Sequence, residues 1–525
     1  MNQLQPPLPE LLRSWLPAQR WYPAKGVPVS LRRVGGIRLQ DPAGEVGLEV
    51  HLIAVDSGER VDVINVPLSY RSAPLEGAEN GLVGEAVHSR GQEDDGDSGS
   101  YGSASEPRGG SGRRWIYDGA HDPVFVAAWL ELMRTRSTTG DGRASGDGVP
   151  QFTDHIPHPG PVHSKVLTGE QSNTSAVIQD DTMPSIVKFF RVLSAGVNPD
   201  VEVGAGLTAA GCEEVPATYG WVTGRWHDPV GEFVNGQPSG ALVEGQLSVL
   251  REFIGGSQDA WRLACRAALN GEEYTEQAEG LGRATAQVHL SLGKAFGTRT
   301  ASPGERSQFI EGIIGRIGWA WREAGSAVGP CDDQLSRQID ALRALESLPR
   351  LQRIHGDYHL GQVLHSERRG WIILDFEGEP LRTAAERSLA DVPLRDVVGM
   401  LRSFDYVAGV VMHGDSGAGD GRDDGRQERA ARARQWSMDC SRAFIAGYQQ
   451  ETGEPVDTTS PLFVALWLDK ALYEVVYELR NRPDWLSVPV SGVREALGDR
   501  GAVVDNMAAA EHGTSDGHGT EEVNQ

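Results

Sequence analysis

Three oxygen-bearing side chains at fixed spacing carry the first chemical signal in this chain: Asp357, Gln362 five positions later, and Asp375 at the end of an apolar run. They lie in His355-Gly356-Asp357-Tyr358-His359-Leu360-Gly361-Gln362 and in Ile372-Ile373-Leu374-Asp375-Phe376-Glu377. Phosphoryl transfer from a Mg²⁺-bound nucleotide needs an Asp to take the acceptor's hydroxyl proton, a second side chain on the same tight loop to hold metal, and a carboxylate returned by the next strand. On that plan Asp357 is the catalytic base, and Gln362 and Asp375 are the metal ligands. The Gln carbonyl oxygen suits a hard cation as well as an Asn would. Either segment alone reads equally well as a surface turn or as a core strand ending in a solvated carboxylate. Both in this order, 18 residues apart from Asp to Asp, point to one site.

Such a site also needs a cover for the nucleotide phosphates and a fixed cation, and candidates for both stand upstream. Lys165-Val166-Leu167, a small polar turn through Ser172, Asn173 and Thr174, and Ala176-Val177-Ile178 read as strand, turn, strand. The turn's backbone N–H groups and hydroxyls are free to approach phosphate oxygens, although it is neither a G-x-G-x-x-G nor a Walker sequence. In the next strand Lys188 sits alone in Ser185-Ile186-Val187-Lys188-Phe189-Phe190, where an unpaired ammonium is costly to bury. It calls for anionic partners, and Glu202 at the start of a following helix is the expected one. After the strand at 246–254, Gly255-Gly256 marks a hinge, and Glu252, Phe253 and Ile254 are the expected backbone contacts of an adenine edge.

Composition narrows the class. With 49 basic against 73 acidic residues, net −24, the chain lacks the clustered cations that nucleic acids or anionic membrane surfaces demand. Cys212, Cys265, Cys331 and Cys440 are scattered without C-x-x-C spacing, as in a reducing compartment. The first residues lack a signal-peptide profile and no stretch approaches about 20 apolar residues, so a cytoplasmic protein is expected, with no membrane and no nucleic acid as partner.

The elements that must position these residues read as an α+β architecture. A short helix near Leu11-Leu12-Arg13-Ser14-Trp15 precedes alternating strands at 46–54 and 61–66, a small antiparallel sheet. Residues 75–113 are rich in Gly, Ser and acid and lack the apolar surface to order themselves. A helix is expected over 125–133, and a second loose stretch over 137–148. Leu281, Ala284, Val288 and Leu292, and then Leu335, Ile339, Leu342, Leu345 and Leu348, recur at helical spacing, so the second half is mostly α. The expected division is a β-rich cap at 1–135, a nucleotide lobe at 150–255, and a helical lobe at 256–510. A loose insert at 414–426 and a loose tail at 511–525 complete it. Over 469–481, Leu472, Val475, Val476 and Leu479 make one helix face and Lys470, Tyr473, Glu474, Tyr477 and Asn481 the other. A face with two tyrosines suits a sugar, whose C–H surface packs on aromatic rings; a solvated face of ion pairs would read the same.

Together with Arg20-Trp21-Tyr22-Pro23-Ala24-Lys25-Gly26, Asn198-Pro199-Asp200-Val201-Glu202-Val203, Pro393-Leu394-Arg395-Asp396-Val397 and Asp469-Lys470-Ala471-Leu472-Tyr473, these segments resemble the actinobacterial maltokinases. Those enzymes belong to the aminoglycoside-phosphotransferase-like branch of the bilobal kinase fold. The resemblance implies ATP and Mg²⁺ as cofactors and maltose as acceptor, giving maltose 1-phosphate for α-glucan synthesis. It also implies a functional link to enzymes that interconvert trehalose and maltose or transfer maltosyl units. His359, Glu377, Lys470, Tyr473 and Tyr477 become the candidate sugar contacts. Two alternatives stay open: a kinase of the same fold acting on glucosamine or an aminoglycoside, with Glu377, Glu379 and Glu474 as an acidic pocket, or a kinase-like binder without activity.

Overall fold

The computed structural model describes residues 8–87, 113–157, 162–167, 172–179, 183–229, 233–234, 237–238, 240–378, 387–413 and 423–498. The chain divides into two compact units, residues 1–205 with 216–255, and residues 206–215 with 256–525.

In the first unit, helix α1 (Leu8–Trp15) precedes β1 (Ser30–Leu39), β2 (Gly47–Asp56), β3 (Val61–Arg71), β4 (Leu82–Val87) and β5 (Arg113–Asp118). These pair antiparallel in the order β1-β2-β3-β5-β4. Helix α2 (Pro123–Thr135) follows, with Asp122 accepting from Val124 N at its start while Arg71 clamps the same carboxylate at 2.6 and 2.7 Å. Then come β6 (Ala144–Gly148), β7 (Ser164–Val166), β8 (Asn173–Ile178), β9 (Ser185–Phe190), β10 (Val192–Leu193), α3 (Pro199–Ala210), β11 (Thr218–His227), the short pair β12 (Phe233–Val234) and β13 (Gln237–Pro238), and β14 (Leu242–Glu252). The second sheet runs β6-β11-β14-β9-β8-β7, and β10 adds to β3 of the first. Strand β2 shows how period-two alternation divides the interior: Leu48, Val50, Leu52 and Ala54 enter one core, Ile53 and Val55 the other. The first of these cores also takes Trp129 of α2 and Val187, Phe189 and Leu250 of the second sheet. Both sheets and α2 therefore share one interior, tied further by Trp129 Nε1 donating to Ser248 Oγ at 2.6 Å.

Two stretches expected to be loose are ordered in part. Leu82–Val87 forms β4, paired with β5 from Leu82↔Tyr117 to Val87↔Arg113, and Val83 is buried. Local composition missed it because the hydrogen-bonding partner lies some thirty residues downstream; residues 88–112 lie outside the described residues. Ala144–Gly148 forms β6 on the edge of β11. The glycines there answer to close approach: a Cβ on Gly146 would stand 2.2 Å from the Leu132 carbonyl.

In the second unit, β15 (Gln258–Asp259) is followed by α4 (Ala260–Asn270), α5 (Thr275–Phe296), α6 (Pro303–Val328) and α7 (Asp332–Arg343). Next come β16 (Val363–Ser366), β17 (Gly370–Ile373), α8 (Leu394–His413), α9 (Asp423–Thr452), α10 (Pro461–Asn481) and α11 (Ser487–Gly498). Strands β15, β16 and β17 make a small sheet in that order, and the rest is helical, so the α+β expectation holds. Helix α7 stops at Arg343, short of Leu345 and Leu348, ahead of Pro349. Helix α9 starts at Asp423, inside the stretch expected to be loose; residues 414–422 and the tail at 511–525 lie outside the described residues. Among the described residues no helix is long and apolar enough to cross a membrane.

Candidate active site

The loop carrying Asp357 is held by a buried carboxylate. The N–H groups of His355 and Gly356 donate to Asp396 Oδ2 and Oδ1 at 2.7 and 2.9 Å, from the first turn of α8. His289 Nε2 lies 3.1 Å from the same carboxylate, and its Nδ1 lies 2.9 Å from Tyr448 OH. Burial pushes the Asp396 carboxyl up, but His289 and the loop's N–H groups outweigh it, so the group stays ionised below the usual carboxylate range. Gly356 takes a left-handed φ of 86°, and a Cβ on Gly399 would meet Tyr358 O at 2.5 Å, so both glycines let the loop seat on α8.

The pairing Val363↔Ile373 places Gln362 and Asp375 at the same end of the β16–β17 hairpin, and Leu374 N donates to Gln362 O at 2.8 Å. The His355 ring bridges to this end, with Nε2 2.8 Å from Leu374 O and its centroid 4.8 Å from the Phe376 ring. Asp375 itself has φ 63°, a left-handed conformation that costs a non-glycine residue about 1–2 kcal/mol and persists where neighbours over-determine it. Oxygen atoms of Asp375 and Glu377 lie within 4.8 Å of each other. The structure thus brings Glu377, expected at the sugar, beside the expected metal ligand; Glu379 lies outside the described residues.

Asp357 opens into a cavity of about 70 Å³ whose other walls include Arg316 and Trp319 of α6, Arg395 of α8, and Asp469, Lys470 and Tyr473 of α10. Lys470 Nζ stands 3.8 Å from Asp357 Oδ1 and 5.9 Å from the Tyr473 ring centre. Asp469 is gripped by Arg316 at 2.7–3.1 Å and by Arg395 at 2.9 Å. Burial opposes its ionisation, and the two guanidiniums overcome this, holding its carboxyl below the ordinary range. Trp319 is 38% exposed, unusual for so large an apolar ring and consistent with a face left for a ligand. Sequence reasoning missed Arg316 and Trp319 because α6 offers no motif. Arg395, Asp396 and Asp469 stood in segments already singled out, without roles.

Other expectations move. Tyr477 is 45% exposed with Arg482 5.6 Å over its ring, and it is not among the cavity's lining residues. Glu474, expected on the same polar face, is buried against Arg402 at 2.7 and 3.0 Å, because α10 is covered on more than one side. His359 caps the turn that follows it, its Nδ1 accepting from Gly361 N at 3.0 Å, and does not line the cavity. Burial pushes the His359 imidazole down, which matches a neutral acceptor.

The first unit holds the expected nucleotide residues. Lys188 Nζ reaches Asp200 Oδ2 at 3.4 Å, and Arg251 Nη2 reaches Asp200 Oδ1 at 2.9 Å. Burial works against the Asp200 carboxylate, yet the two cations hold its pKa far below normal. One partner of Lys188 is thus Asp200, two residues before the expected Glu202 in the same first turn of α3. Asn173 Nδ2 donates to Ser172 Oγ at 3.3 Å on the exposed side. The Thr174 hydroxyl, expected on phosphate, is buried and accepts from Arg191 Nε at 2.8 Å. Glu252 N donates to Ala217 O and Phe253 N to Pro184 O, so these two N–H groups are engaged within the unit and are not donors for a purine.

A loop Asp, a strand-end Asp and a strand Lys are residue types that phosphoryl transfer employs. Residues 165–432, more than half of the chain, match the phosphotransferase enzyme family model, and the chain belongs to that family. Residues 15–96 match the model of the maltokinase N-terminal cap domain. The chain is 24% identical over 355 residues to a glucosamine kinase of Streptacidiphilus jiangxiensis, covering 63% of this chain and 73% of that protein. It is likewise 24% identical over 344 residues to a glucosamine kinase of Mycolicibacterium smegmatis, covering 64% and 79%. A solved glucosamine kinase in complex with glucosamine, ADP and inorganic phosphate aligns with a TM-score of 0.58 at 20% identity, over 94% of this chain and all of that one, a likeness of fold.

Proposed function

We propose that this chain is an ATP-dependent carbohydrate kinase whose acceptor is maltose, phosphorylated at the anomeric hydroxyl to maltose 1-phosphate. The observation that carries the reading is Asp357 at the wall of a cavity lined by Trp319, Tyr473 and Lys470. Aromatic rings pack on pyranose C–H faces, polar tips bond hydroxyls, and the carboxylate waits where a hydroxyl must lose its proton. The match of residues 15–96 to a maltokinase cap supports choosing maltose among sugars.

Asp357 accepts the proton of the acceptor hydroxyl as that oxygen attacks the γ-phosphorus of ATP and the bond to the β–γ bridging oxygen breaks, releasing ADP, and Lys470 beside it orients the carboxylate and opposes charge build-up. Asp396 keeps the loop backbone in place throughout. Gln362, Asp375 and Glu377 present hard oxygen donors at one end of the β16–β17 hairpin, a set that fits Mg²⁺. Bound there, Mg²⁺ would neutralise phosphate charge. Lys188, prepaid with Asp200, supplies a fixed cation for nucleotide phosphates, with Ser172 and Asn173 as exposed hydroxyl and amide donors.

The second reading is a glucosamine kinase, favoured by the names of the relatives. Against it stands the charge of the cavity: Arg316, Arg395 and Lys470 line it, and Asp469 is already gripped by two arginines. Among the described residues that line it, Asp396 and Asp469 are already paired, which leaves an ammonium group only Asp357. ATP consumption over a panel of maltose, glucose, glucosamine and an aminoglycoside, with the phosphorylated carbon located by NMR, decides. Turnover with glucosamine and none with maltose would overturn the assignment.

A further inference from the structure

The aromatic segment Arg20–Gly26 of the N-terminal region, singled out in the sequence, takes no part in the chemistry above. Its Trp21 leads to Arg191, which follows the Lys188 strand and is completely buried. The Arg191 guanidinium lies 4.8 Å over the Trp21 ring, Nη2 meets Asp118 Oδ2 at 2.5 Å, and Nη1 meets Asn65 O at 3.4 Å. Its own carbonyl accepts from Asn65 N at 2.9 Å. Its Nε donates to Thr174 Oγ1 at 2.8 Å. Trp21, Asn65 and Asp118 belong to the N-terminal part of the unit, whereas Thr174 is the second residue of β8, directly after Ser172 and Asn173. Replacing a buried ion pair by apolar side chains of equal volume is often neutral or stabilising, so a fully buried arginine with this many directed bonds argues for a geometric duty.

We propose that Arg191 is a positioning residue for the nucleotide site. It ties Thr174, and with it the adjoining Ser172 and Asn173, to Trp21 and Asp118, which makes the N-terminal sheet a working part of nucleotide binding. This rests on the reading of Ser172 and Asn173 as phosphate contacts. The Thr174 hydroxyl serves as a tether: one of its lone pairs is taken by Arg191, and its position fixes where the preceding two residues stand.

The test measures the dissociation constant of Mg²⁺–ATP by direct titration and the KM of each substrate in Trp21→Leu, Asp118→Asn, Thr174→Val and Thr174→Ser. Trp21→Leu, Asp118→Asn and Thr174→Val should weaken ATP by about tenfold, the size of a coupling between contacting residues, with the sugar KM unchanged. Thr174→Ser, which keeps the hydroxyl, should bind ATP as the parent does. Folded Trp21→Leu and Asp118→Asn proteins with parental ATP affinity would overturn the proposal, leaving Thr174 as a direct contact at most. Equal losses toward ATP and sugar in every variant would overturn it too, since they report general damage. Should Asp118→Asn not fold, Trp21→Leu decides by the same criterion. A parent protein that binds no ATP would instead refute the kinase reading itself.

Discussion

Asp357, Asp375 and Trp319 divide the proposed reaction among proton, metal and acceptor, and each can be removed separately. Asp357→Asn keeps size and hydrogen bonding but cannot take a proton, so kcat should fall by roughly 10²-fold or more while ATP binding persists. Near-parental turnover would remove Asp357 from the role of base. Asp375→Ala should abolish the Mg²⁺ dependence of nucleotide binding, read by titrating ATP with and without the metal; an unchanged dependence would mean another group holds the ion. Trp319→Ala should raise the KM for the sugar by about tenfold or more with ATP affinity unaltered, as a lost stacking face costs on the order of 1–2 kcal/mol. If only kcat changes, the ring is not an acceptor platform. The first two residues were legible because their spacing is set by one loop and one hairpin, contiguous in the chain. Trp319 was not, because a tryptophan on a helix gives the same signal whether it faces a core, a cavity or water.

Helix α10 shows what pattern reading achieves and where it stops. Its apolar stripe was read correctly at Leu472, Val475 and Val476, all buried, but Leu479 is 38% exposed and Glu474 is inside. Periodicity assigns residues to faces; it does not say how many faces neighbours will cover. Glu474 pairs with Arg402 of α8, whose other bond goes to Asp405 at 2.6 Å. Glu474→Ala should therefore destabilise the fold by about 3–5 kcal/mol by leaving a buried guanidinium short of a partner, measured by denaturant unfolding. A loss of under about 1 kcal/mol would show that Asp405 suffices for the pair. Strand β4 makes the complementary case. Gly- and acid-rich surroundings hid it, and its order depends on β5; deleting 79–87 should lower the melting temperature, since Val83 leaves a core shared with Leu11 and Ile116. An unchanged melting curve would mean that β5 closes the sheet by itself.

Acid sensitivity belongs to the molecule as a whole, because His51, His121 and His359 are all pushed below the ordinary imidazole value, in each case chiefly by burial. With folded values beneath an unfolded value of 6.5, the unfolded chain binds more protons in that window. Stability should be fully present above 6.5 and fall as the pH drops through it toward the folded values. Melting temperatures should be lower at pH 5.5 than at pH 7.5, with His121→Gln flattening the slope; a level profile would show that the three imidazoles titrate alike in both states. The reading of the chain from its letters was secure wherever the physics is local: the alternation of β2 and β3, the helices after residue 256, the α+β class. The Lys188 partner, the tether of Thr174, the cavity built from α6, α8 and α10, and the burial of Glu474 came only with the tertiary structure. Spacing along a strand or loop limits which side chains share a face, whereas pairing between residues tens or hundreds of positions apart depends on packing and burial energies that no short stretch of sequence contains.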